Sequence, residues 1–156
     1  MIKITCQTGE VIDLDVDSLE SADLSHMALH RAIFTNRKLV GSTFADADLR
    51  GALFDGADMR RCNLHRARLM NALFLRSDLR EANLGNSALI GAVLDGADLR
   101  GTDLTGADIA FSSFKGADVR GAKLLCKRML DADMKDLIYD RTTVFPEGFE
   151  PAGQPG

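Results

Sequence analysis

Large apolar residues recur at every fifth position from Leu19 to Leu124, twenty-two times in succession without a slip in register. Two positions before most of them stands a small residue, as at Ala47, Ala52, Ala57, Cys62, Ala67 and Ala72. A period of five fits neither regular element. On an α-helix five residues advance by about 500°, which would spread the leucines around the whole surface. On a strand an odd spacing sends alternate leucines to opposite faces. A chain that bends after every five residues can keep the large and the small residue of each unit inside. The pattern therefore predicts many very short extended stretches separated by turns.

A second period shows how the bends close. Arg60, Arg80, Arg100 and Arg120 recur at spacing twenty, as do Asp58, Asp78, Asp98 and Asp118. Phe34, Phe54, Phe74 and Phe114 share one phase, with Leu94 in the gap. Twenty residues per layer means four bends per layer, and each residue stacks on its counterpart twenty positions away. Neighbouring layers would bond as parallel strands about 4.8 Å apart. Nine glycines, Gly41 to Gly121, share the last place of the unit, where a tight turn needs unusual backbone angles. Asp or Asn before the large residue can bond the nearby backbone.

The run GADLRGTDLTGAD, residues 96–108, resembles the pentapeptide-repeat family, whose consensus is A(D/N)LXX, and the likeness extends over about 17–124. The resemblance implies an all-β fold, a right-handed quadrilateral parallel β-helix of about six coils. One domain is expected over 1–150, with residues 1–16 as a β-rich N-terminal cap and 125–150 as a C-terminal cap. Met27 and Arg37 fill inward small-residue positions, so the first coil is expected to be irregular. Residues 125–138 read either as a short capping helix or as a distorted seventh coil. The ending TTVFPEGFEP resembles the Phe-Pro-x-Gly-Phe tail of family members and is expected to fold over the bottom. Residues 151–156 are expected to be loose.

Charge and composition narrow the function. The net charge is −4, yet 42–121 holds eleven acids against ten bases. Such a surface suits neither phosphate backbones nor cationic partners, so no nucleic-acid partner is expected. Cys6, Cys62 and Cys126 are far apart and show no paired spacing, which argues against disulfides or zinc and for reduced thiols in the cytoplasm. No apolar run long enough to span a membrane occurs, and residues 1–11 lack the apolar stretch of an export signal. His26 and His30 fall on different sides of a coil, and no Ser or Cys pairs with a His at a readable spacing. No catalytic residue, metal site or cofactor is expected.

Two outward patterns remain. The Asp58, Asp78, Asp98 and Asp118 column beside Arg60, Arg80, Arg100 and Arg120 reads as a recognition surface or as a self-neutralising face. On the phenylalanine side, Ile33, Leu53, Leu73 and Val93 occupy an outward position where the family prefers Asp or Asn. With Leu75, and with Met70 and Ile90 on the preceding face, they form an apolar stripe suited to contact with a protein, either itself as a homodimer or another. The alternative is that a terminal segment covers it. The expected function is a non-enzymatic interaction solenoid. The other candidate, implied by the resemblance to quinolone-resistance members, is a DNA mimic acting on a type II topoisomerase.

Overall fold

The computed structural model describes residues 1–152, so of the tail expected to be loose, 153–156 lie outside the described residues. Among the described residues the chain is all-β except for one 3₁₀ turn, Met129–Asp131. It opens with an antiparallel hairpin of β1 (Ile2–Thr5) and β2 (Val11–Leu14). Beyond the hairpin no strand exceeds a single bridging residue among the described residues. Those bridges fall into four columns of parallel pairs at spacing twenty, such as Ile33, Leu53, Leu73, Val93 and Ser113.

The hydrogen bonds of one unit show why five residues suffice. The amide of the large residue donates to the layer below, as Leu29 to the Asp48 carbonyl at 2.8 Å. The bridging residue donates to the layer above, as Asp48 to Met27 at 2.9 Å. A turn then closes with Ala32 donating to Leu29 at 3.1 Å. Its third residue has positive φ and its second does not, which is the type II arrangement. From Ser21 to Gly121 every such corner is left-handed, and twelve of the twenty-one residues there are not glycine. Glycine marks the corner in the sequence, but stacking imposes its conformation.

The interior is filled by the large and small residues of each unit. Phe34, Phe54 and Phe74 stack face to face, with centroids 5.1 and 4.9 Å apart, close to the strand spacing. Phe44 meets Phe34 and Phe54 edge-on. The polar members of the small-residue set are buried and bonded to main-chain carbonyls, such as Thr102 to Leu79 at 2.8 Å and Ser87 to Leu84 at 2.7 Å. Burial pushes the Cys62 thiol up to about 12, and its Sγ rests on the Leu39 carbonyl.

Both ends depart from the repeat. At the top, Thr5 accepts from the Ile33 amide and Cys6 pairs antiparallel with Ala32, so the hairpin supplies a further rung. Met27 packs against the core, whereas Arg37, though in a nominally inward place, is exposed. At the bottom, helix and coil are combined: the ladder continues through Lys127, Asp133, Ile138 and Val144, with the 3₁₀ turn inserted. Lys127 pairs nineteen positions after its partner and Val144 twenty-one after. Tyr139, Phe145 and Phe149 cluster there, ring centroids 5.5 Å apart at each step.

Candidate interaction surfaces

The Asp and Arg columns flank one row of large residues. Each Arg forks onto the Asp two positions before it, as Arg60 Nε and Nη2 donate to the two Asp58 oxygens at 2.8 and 2.7 Å. Arg80, Arg100 and Arg120 repeat this on Asp78, Asp98 and Asp118. The next layer's carboxylate stands close behind, with Arg60 Nε 3.7 Å from Asp78 and Arg80 Nε 3.5 Å from Asp98. Charges therefore alternate down the face, and Asp78, Asp98 and Asp118 each lie between two guanidinium groups.

These contacts shift the carboxyls in one direction. Hydrogen bonds from the Arg60 and Arg120 side chains hold Asp58 and Asp118 below the usual carboxylate range, against the opposing effect of partial burial. At Asp78 partial burial is the largest single influence and pushes upward, but the Arg80 contacts outweigh it. The face is self-neutralised, with no unpaired acidic row for a cationic partner to read.

The apolar residues form a real column. Ile33, Leu53, Leu73 and Val93 stack by successive parallel bridges, and all four point outward and are half-buried. Met70, Ile90 and Leu75 are half-buried beside them. The hairpin lies above Ile33 as a rung and its Gln7 side chain reaches down to the Gly51 carbonyl at 2.7 Å, while Leu53, Leu73 and Val93 stay half-buried below it. Two side chains missed by the sequence pattern extend the stripe downward. Phe111 is 73% exposed at the corner below Gly91, and Leu130 is 89% exposed in the 3₁₀ turn. A phenylalanine in a corner place otherwise held by Gly or by polar or charged residues was the available signal for the first. Leu130 lay in the stretch where the register breaks.

Among the described residues no group of three or more His, Cys, Asp or Glu side chains could hold a metal, and burial pushes the Cys126 thiol, like Cys62, up to about 12. No helix among the described residues is long and apolar enough to cross a membrane.

The profile of the pentapeptide repeats matches residues 38–74 and 77–110 in eight copies. Among solved structures the chain is similar to HetL, a pentapeptide repeat protein involved in heterocyst differentiation regulation in Nostoc sp. strain PCC 7120. The two are 22% identical over 83% of this chain and 79% of that one, at a TM-score of 0.51. The pentapeptide repeat protein Rfr23 from Cyanothece 51142 is 21% identical over 82% and 87%, at a TM-score of 0.57. Trypsin-treated QnrB1, a plasmid-mediated fluoroquinolone resistance protein, is 18% identical over 78% and 66%, at a TM-score of 0.52. These likenesses are of fold. No curated protein sequence matches.

Proposed function

The chain belongs to the pentapeptide-repeat family, and from that premise we propose that it is a non-enzymatic solenoid that binds a protein through its apolar face. In this reading the chain coils as the family's right-handed quadrilateral β-helix of about six turns and works in the cytoplasm. The observation that carries the proposal is the contrast between two outward faces built on the same backbone. On one, every Asp in the column is satisfied by its own Arg. On the other, Leu53, Leu73 and Val93 stand in the equivalent outward place, with Phe111 more exposed still. A row of apolar side chains where the repeat accepts Asp or Asn is costly to keep in water unless it meets a partner.

A direct test immobilises three matched proteins: wild type, Leu73→Asp/Val93→Asp, and an Arg80→Ser/Arg100→Ser variant of the charged face. A partner kept by the first and third and lost by the second is the expected result. Identical retention by all three would contradict the assignment. The topoisomerase-mimic reading draws on the likeness to QnrB1, but mimicry needs a sustained acidic face, and the Asp column here is occupied by arginine. Gyrase supercoiling with and without a quinolone is expected to be unchanged by this protein.

A further inference from the structure

We propose that the partner of the apolar face is a second copy of this chain, packed antiparallel on the same face. This rests on the reading of that face as an interaction surface and adds the identity and register of the occupant. The argument comes from the corner bordering the face. Down it run Arg31, Gly51, Asn71, Gly91, Phe111 and Asp131, the first five each linked to the next layer by their main-chain amides; the Phe111 amide, for instance, donates to the Asp131 carbonyl. The column thus begins with a cation, ends with an anion, and carries a dent near one end and a knob near the other.

The dent is a depression of about 480 Å³ around Gly51, walled by Arg31, Arg50 and Met70. The knob is Phe111, 73% exposed. Arg31 and Asp131 are both exposed, and neither side chain forms a hydrogen bond or ion pair among the described residues.

A two-fold axis lying in the face, midway between the layers of Leu73 and Val93, inverts this order on the second copy. Leu73 then meets the second copy's Val93, Phe111 enters its Gly51 depression, and Arg31 reaches its Asp131. Every one of these contacts occurs twice, as a two-fold interface requires. The fit is poorer for Leu75 against Asp95 in the same two layers, for Leu53 against Ser113 and for Ile33 against Asp133. Moving the axis by half a layer sets Asp55 against Asp95 and leaves the depression empty, so the first register is favoured. A face this narrow is at the small end for a specific interface, and a dissociation constant on the order of micromolar is expected.

Light scattering after size-exclusion chromatography, across a concentration series, tests the proposal. The samples are the full chain, Phe111→Asp, Arg31→Asp, Asp131→Arg and the double swap Arg31→Asp/Asp131→Arg, with circular dichroism showing that each is folded. The wild type is expected to dimerise. Each single change should weaken the dimer by roughly ten-fold or more, and the double swap should restore it, since the reversed charges again face each other. A wild type that stays monomeric at about millimolar concentration, far above the expected constant, overturns the self-pairing. So do single variants without effect, or a double swap as weak as the singles. A monomer whose Leu73→Asp/Val93→Asp form still loses a captured protein overturns only the self-pairing, whereas equal capture by both forms removes the interaction reading as well.

Discussion

Arg76 sits at a corner with φ of 54°, and its guanidinium has no ion pair among the described residues. A side chain in that conformation is strained, and only glycine adopts it freely. Arg76→Gly is therefore expected to raise stability by about 0.5–1 kcal/mol, the relief of strain exceeding the entropy glycine adds to the unfolded chain. The converse holds at Gly56, where φ is 65° and an added Cβ would collide with Asn36 Oδ1. Gly56→Ala should cost about 1–3 kcal/mol in urea unfolding. Asn71 against Gly91 and Asn86 against Gly106 make the same fit, so corner asparagines select glycine in the layer below. The Asp column gives a pH dependence. The carboxyls of Asp58, Asp78 and Asp118 lie below their ordinary values in the folded state. Their stabilising effect is fully present above the unfolded-state pKa of about 3.9 and is lost as pH falls through the folded values. Melting temperature should be level from neutral pH to about 5 and drop below about 4, with a smaller drop in Asp58→Asn/Asp118→Asn.

At the scale of the unit, the stack of Phe34, Phe54 and Phe74 ties three layers together through one ring each. Phe54 has a ring above, a ring below and Phe44 at its edge, so Phe54→Ala opens a cavity spanning three layers. A loss of about 3–5 kcal/mol is expected by denaturant titration. This organisation was legible in the sequence because the inward residues repeat at five and the layers at twenty, a pattern no helix or long strand shares. The corner conformation was legible from the glycines, and residues such as Arg61, Arg66 and Glu81 adopt it because their neighbours in the stack leave no alternative. The bottom was not legible. One position is lost at Lys127 and one gained at Val144 while Asp133 and Ile138 keep the spacing of twenty, so a strict count of five misplaces those two rungs and does not reveal the 3₁₀ turn that exposes Leu130. The column from Ile33 to Val93 could be read from spacing. Phe111 was signalled only by its type, the one apolar side chain among the corner places from 21 to 121, because a corner place by itself says nothing about exposure until the chain is coiled.

For the whole molecule, each layer borrows its hydrogen bonds from the layers above and below, so stability accumulates toward the middle and the ends fray first. The hairpin closes the upper edge through Thr5 and Gln7, which bond Ile33 and Arg31. Deleting residues 1–14 should speed amide exchange at Leu24, Leu29 and Ile33 while leaving Leu84 and Leu94 protected; uniform loss of protection would mean that the hairpin nucleates the fold rather than capping it. A rod filled by its own side chains offers only its outer faces for binding, and two of them differ sharply in chemistry. The claim that the apolar one is covered in use is tested most directly by hydroxyl-radical footprinting of Met70, Leu73, Val93 and Phe111. Their rates would be compared between dilute purified protein and the same protein at working concentration in host extract. Slowing by roughly three-fold or more at these side chains, with Ile138 and Val144 unchanged, is the expected result for a contact that excludes water from its centre. Equal rates in the two settings would contradict the account.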